Sequence, residues 1–181
     1  MNKVIRVFIP MIMVAAALGS RAHAPASAEQ PCPMHASHTG SDAHHAIVES
    51  HGDQAMGFSH DKTTHHFRLS ENGGSIQVTA NDPKDSANID AIRMHLAHIT
   101  RAFGDGDYST PMLVHDGIPP GVTTMKLLKE KIQFEYQAID AGGHVRITTE
   151  DPVARAAIHD FLRFQITDHG TGDPLSLDAG K

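Results

Sequence analysis

Cysteine, aromatic residues and long apolar runs are all scarce in this chain of 181 residues. One cysteine, no tryptophan and two tyrosines are present, so no internal disulfide can form and stability must come from packing. No apolar run reaches the about 20 residues that a membrane-spanning helix needs. We therefore expect a protein that is not integral to a membrane.

The first 28 residues have the pattern of a secretory signal peptide. Lys3 and Arg6 form a basic head, residues 7–18 are apolar, and small residues stand at 22–24 and 26–28 as two alternative cleavage sites. This pattern predicts a cleavable signal peptide at 1–28 and a periplasmic or secreted protein. The alternative, a retained membrane anchor, is disfavoured because the apolar run is too short.

Basic residues are outnumbered. The chain has 15 Lys and Arg against 21 Asp and Glu, a formal charge of −6. Segment 1–28 holds three of the basic residues and no acidic one, so its removal lowers the charge to −9. Phosphate binding needs a basic surface, so a nucleic-acid partner is not expected.

Histidine, in contrast, is abundant, with 15 residues beside 8 methionines. Segment 29–59 has no helical or strand periodicity, and its composition predicts a flexible tail. Thiolate, thioether and imidazole are ligands for soft and borderline metals, and we expect this tail to bind metal. Its candidate ligands are Cys32, Met34, His35, His38, His44, His45 and His51. The alternative is a linker that these polar residues only keep soluble.

The run Cys32-Pro33-Met34-His35 resembles the core of the small heavy-metal-binding domain of periplasmic copper and silver efflux adaptors and some metal-transporting ATPases. The resemblance covers these four residues, and the family's usual flanking aromatic and proline are replaced by Pro31 and Ala36. It implies a soft metal, copper, for Cys32, Met34 and His35, while the domain itself is not expected here. The other tail histidines suit zinc or nickel as alternatives, since imidazole binds all of these metals. A metal-transport protein is the expected partner.

Residues 60–175 predict a single α+β domain that begins with a hairpin and a helix. Apolar residues alternate with polar ones around the Gly73-Gly74 turn, which predicts two antiparallel strands. Apolar residues then recur at spacings of three and four up to Gly104, which predicts an amphipathic helix. The strand positions are Phe67, Leu69, Ile76 and Val78, and the helical ones are Ile89, Ile92, Leu96, Ile99 and Phe103.

The same order recurs 69 residues later. Gly142-Gly143 and Asp151-Pro152 repeat Gly73-Gly74 and Asp82-Pro83 at that offset. A hairpin and a helix cannot bury their apolar faces alone, so units at about 62–107 and 131–173 predict a duplicated ββα fold. We expect a four-stranded antiparallel sheet with two helices on one face, followed by a flexible C-terminus at 176–181. Chance recurrence of common turn and cap residues is the alternative.

Three domain histidines are candidate metal ligands. His95 and His98 are three residues apart and therefore share one helix face. When the two predicted helices are aligned, His159 occupies the position equivalent to His95. We expect a site that collects these imidazoles near the pseudo-twofold axis. Equally compatible is a structural role, with each ring bonded to a neighbouring carbonyl or carboxylate.

For the other histidines of the domain the sequence predicts positions but no shared site. His65 and His66 are adjacent on a strand and point to opposite faces. His115 lies in a proline-rich segment, 111–121, that predicts an extended loop, and 122–131 predicts a short helix. His169 follows the second helix, where a cation is favoured by the helix dipole.

Over residues 57–173 the chain also resembles a family of small exported bacterial proteins. The resemblance implies the ββα-ββα domain and no particular activity. It is carried by the segments 62–67 (KTTHHF), 92–99 (IRMHLAHI) and 161–166 (FLRFQI).

These observations favour a periplasmic protein that captures, buffers or delivers copper. A metal-dependent enzyme that uses the domain histidines is one alternative, and a protein-interaction domain without metal is another. The sequence has no nucleophile elbow, phosphate-binding glycine loop or His-Glu-x-x-His motif, so catalysis is not the leading expectation.

Overall fold

The computed structural model describes residues 48, 52–53 and 55–177, which belong to one compact unit. Short 3₁₀ turns at His60–Lys62 and Lys129–Lys131 precede the two hairpins. The elements are β1 (Thr63–Ser70), β2 (Gly73–Ala80), α1 (Ser86–Gly104), α2 (Ser109–Val114), α3 (Val122–Leu127), β3 (Gln133–Ile139), β4 (Gly142–Thr148) and α4 (Pro152–Asp168).

The α+β fold class is confirmed. Four antiparallel strands form one sheet in the order β1-β2-β4-β3, and α1 and α4 cover one face of it. In the central β2–β4 pair, Gly73 lies opposite Thr148 and Thr79 lies opposite Gly142. A 69-residue shift exchanges these two pairs, so the hairpins are related by a pseudo-twofold axis between β2 and β4.

The alternating strand residues are buried as predicted, while the turns lie elsewhere. Phe67, Ile76 and Val145 are opposite one another on the inner face of the sheet. The turn residues are 71–72 and 140–141, and each Gly-Gly pair begins the second strand of its hairpin. The glycines therefore serve the packing of the strands rather than the turns.

Gly74 and Gly143 are the points where the helices approach the sheet most closely. A Cβ atom on Gly74 would lie 2.3 Å from Leu162 Cδ1 and 2.4 Å from the Arg68 carbonyl oxygen. A Cβ atom on Gly143 would lie 2.8 Å from Leu96 Cδ1. Because these positions carry no side chain, α4 packs directly on β2 and α1 packs directly on β4.

The helices bury the predicted faces. One apolar face of each long helix lies in the core, with α1 over β3 and β4 and α4 over β1 and β2. Each helix thus covers chiefly the hairpin of the other unit. The caps differ, since Asp151 caps α4 while Asp85, rather than the repeated Asp82, caps α1. None of the helices described is long and apolar enough to span a bilayer.

The first part of the loop predicted at 111–121 is helical, since α2 extends to Val114, and residues 115–121 are non-helical as expected. Pro111 lies in the first turn of α2 and is buried. Proline is tolerated there because the first amide groups of a helix have no partner within it. This turn buries Val114 and His115 against the domain. The short helix predicted at 122–131 is present as α3, with Met125 fully buried.

Packed structure begins before the predicted domain boundary at residue 60. Val48 and Phe58 are buried, and Gly52, Asp53, Ala55 and Met56 are helical. Of its few apolar residues, Phe58 belongs to the core of the domain and Met56 packs against it. The signal peptide at 1–28, the tail up to residue 47 and the last residues, 178–181, lie outside the described residues.

Replacing Gly74 by alanine should destabilise the domain by about 1–3 kcal/mol, since overpacking displaces either the backbone of β1 or Leu162. Urea unfolding checks this. Gly104→Ala is the matched control, because a Cβ atom there meets nothing within 4 Å. Equal unfolding midpoints for the two variants would contradict the packing role of Gly74.

Candidate functional site

A small cavity lies between the inner face of the sheet, the two long helices and α2. Its volume is about 70 Å³. The floor is apolar and includes Phe67, Ile76, Leu96 and Phe161. The polar residues around it are His65, His95, Thr110, His115, Gln165 and His169. We call it the inner cavity.

A second space, the outer cavity, has a volume of about 230 Å³. It is lined by Val48, Met56, His60, Thr63, Thr64, His65, His169 and Thr171. Met56, His65 and His169 border both cavities and so form a wall between them. Of the described residues that line either cavity, none is Asp, Glu, Lys or Arg.

His65 enters this wall because of strand alternation. It is two residues before Phe67 on β1 and therefore shares the inner face of the sheet. Phe58 stacks on its ring with centroids 6.1 Å apart. Burial, with smaller contributions from His60 and His66, lowers the pKa of His65 to about 4. Its Nε2 atom is buried and has no hydrogen-bond partner.

His95 approaches the inner cavity from α1. The edge of its ring meets Phe58, with centroids 5.6 Å apart. Burial, and then the neighbouring His65 and His98, lower the pKa of His95 to about 4. His65 and His95 are therefore neutral imidazoles at pH 7, which is the form that binds metals.

His169 is held at the wall by the loop that follows α4. Its ring lies parallel to that of His65, with an interplanar angle of 4° and centroids 5.9 Å apart. Asp173 anchors this loop to β1, because it accepts hydrogen bonds from the Phe67 amide at 3.0 Å and from His66 Nδ1 at 2.9 Å. Burial raises the pKa of Asp173, but hydrogen bonds from Thr171, Phe67 and His66 outweigh it and lower the pKa.

His115 closes the far side of the inner cavity and is tied to α4. Its Nδ1 donates to Asp168 Oδ2 at 2.6 Å, and its Nε2 lies 3.1 Å from Gln165 Oε1. Gln165 Nε2 is buried without a partner, and with its amide turned it would donate to His115 Nε2, so that the ring donates at one nitrogen and accepts at the other. His115 therefore fixes α2 onto α4 and presents no ring nitrogen as a base to a substrate.

The structure does not bring His95, His98 and His159 together. His95 borders the cavity, whereas His98 is exposed on α1. His159 donates from Nε2 to the Ser70 carbonyl at 2.9 Å, so that atom has no lone pair to offer a metal. The three imidazoles therefore do not form a ready-made site among the described residues, because His159 on α4 is bonded to the end of β1.

The tail candidates Cys32, Met34, His35, His38, His44, His45 and His51 lie outside the described residues. Within the part of the chain that is described, no group of three or more His, Cys, Asp and Glu side chains is arranged to hold a metal ion.

Two of the residues around the inner cavity are marked by a pattern in the sequence. His65 shares the parity of the inward-facing Phe67, and Gln165 occurs among the buried positions of α4. His115 is not marked in this way, because its position depends on α2, and the prolines of this segment predict a loop instead of a helix. Met56 lay in a segment without periodicity.

Comparisons with family models, with curated proteins and with solved structures each yielded no match to this chain.

Acid should destabilise the domain through His65 and His95. Their folded-state pKa of about 4 lies below the unfolded value of 6.5, so their neutral forms contribute full stability above pH 6.5. That stability is lost as the pH falls from 6.5 toward 4, by up to about 3 kcal/mol for each histidine. Urea unfolding across this range measures the slope.

The variants His65→Gln and His95→Gln should flatten this dependence, whereas His98→Gln, which removes only the smallest of the three contributions to the pKa of His95, should retain most of it. A slope that is the same in all four proteins would show that neither buried histidine is responsible.

Proposed function

We propose that this protein is an exported metal-binding protein that captures, buffers or delivers copper. The observation that supports it best is the gathering of imidazoles from separate elements around one cavity. His65 comes from β1, His95 from α1 and His169 from the end of α4, and Met56 adds a thioether. Burying a histidine costs desolvation free energy, which a bound metal ion would offset.

The tail supplies a second reason. Cys32, Met34 and His35 provide a thiol, a thioether and an imidazole within four residues. Such ligands prefer Cu(I) to harder ions. Further along the chain, Val48 and Met56 line the outer cavity. Tail and domain ligands would thus serve one function, with a metal-transport protein as the receiver of copper.

Titration against competing chelators tests the proposal. The protein that lacks residues 1–28 should bind Cu(I) more tightly than Zn(II), since sulfur ligands are soft. Replacing Cys32 by Ser, Met34 by Leu and His35 by Gln together should remove part of the Cu(I) uptake. His144→Gln is the control, because its side chain lies on the sheet face opposite the cavities. No uptake of Cu(I), Cu(II) or Zn(II) at micromolar protein would refute the function.

Export is tested separately. Expression of the whole chain in a Gram-negative host should yield a periplasmic protein whose first residue follows position 24 or 28, as the small residues at these sites direct. Intact mass measurement of each cell fraction checks this. A cytoplasmic protein that retains Met1 would contradict it.

A further inference from the structure

We propose that the free edge of β3 pairs with β3 of a second copy of this chain, so that two four-stranded sheets join into one. β3 lies at one edge of the sheet and β1 lies at the other. In the part of the chain that is described, β3 therefore has a strand on one side only. This edge is separate from the two cavities, and its pairing requires no metal.

The two edges of the sheet differ although the two units repeat. At β1 the loop after α4 covers the edge, because Asp173 accepts a hydrogen bond from the Phe67 amide at 3.0 Å. The run Gly-x-Gly-Asp that ends at Asp173 recurs after α1, where it ends at Asp107. The carboxylate of Asp107 accepts instead from the Ser109 amide at 2.9 Å, at the beginning of α2. The edge of β3 thus lacks the cover that its counterpart β1 has.

The backbone groups at this edge follow from the hairpin register. The turn between β3 and β4 has two residues, so Ile139 and Gly142 form the hydrogen-bonded pair beside it. Hydrogen bonding to β4 then alternates along the strand. The residues whose amide and carbonyl groups point away from β4 are therefore Phe134, Tyr136 and Ala138. Phe67 is the equivalent of Tyr136, 69 residues earlier, and its amide likewise points away from the sheet.

β3 has none of the features that usually protect an edge strand. Proteins commonly place lysine, proline or a bulge on such strands. The sequence of β3, QFEYQAI, contains neither of these residues, and all seven residues pair with β4 without a break. Its only charged side chain, Glu135, is bonded to Arg146 on β4. A second extended strand can therefore align along its whole length.

An antiparallel pairing centred on Tyr136 makes β3 complementary to itself. It places Phe134 opposite Ala138 of the second copy, and these outward-pointing residues exchange both of their backbone hydrogen bonds. Glu135 lies opposite Gln137, so no two carboxylates face each other. Phe134 and Tyr136 pack against the core but are only half-buried, and a second sheet would extend the apolar surface beside them. A second copy is thus the occupant that suits this edge.

Sedimentation equilibrium of the full chain tests the pairing, in a reducing buffer with EDTA so that neither Cys32 nor a metal ion links two copies. We expect a dimer at micromolar protein concentrations. Ala138→Pro removes an outward-pointing amide group, which an edge strand tolerates, and should weaken the dimer at least about tenfold. Ala138→Ser is the matched control, because it keeps the amide group and should leave the dimer intact.

Charge at position 137 tests the register and remains decisive if Ala138→Pro fails to fold. Gln137→Glu places a carboxylate opposite Glu135 of the second copy and should weaken the dimer by about threefold or more, whereas Gln137→Lys should strengthen it. Gln137 is exposed, so circular dichroism should show the same fold in both variants. A chain that stays monomeric at about 100 μM, or a dimer that the two charge variants do not shift in opposite directions, would overturn the proposal.

Discussion

The antiparallel pairing of β2 with β4 is the contact on which the rest of the fold depends. It joins the two hairpins edge to edge about a pseudo-twofold axis, with Gly73 opposite Thr148 and Thr79 opposite Gly142. The glycines at the start of both strands let Leu162 and Leu96 descend onto the sheet. Without this pairing each hairpin would expose its apolar face, and neither helix would have a partner surface.

The candidate site lies where the two units of the repeat differ. The hairpins match closely, but the segments at the helix ends do not, since α2 and the loop after α4 have different lengths and contacts. These unequal segments bring His115 and His169 to one end of the core, where Phe58 and Met56 close the space from the N-terminal side. A histidine-lined cavity occurs there because the two hairpins are alike while the segments that follow the two long helices differ.

Much of the scaffold could be predicted from residue periodicity. The inward-facing Phe67, Ile76 and Val145, and the helix face through Ile92 and Leu96, follow from spacings of two and of three to four. The site was harder. His95 and His98 share one side of α1, as their spacing requires, yet only His95 borders the cavity. The way in which α1 packs on the sheet decides which residues of that side are covered.

Local sequence therefore determined the elements, their apolar faces, the opposite directions of His65 and His66, and the density of metal-binding side chains. These properties depend on neighbours a few residues apart. Tertiary structure alone decided that His65 on β1 would lie 5.9 Å from His169, more than a hundred residues later, and that His159 would bond to Ser70 instead. Such pairings depend on how two units dock across a sheet, and no spacing within either unit encodes that arrangement.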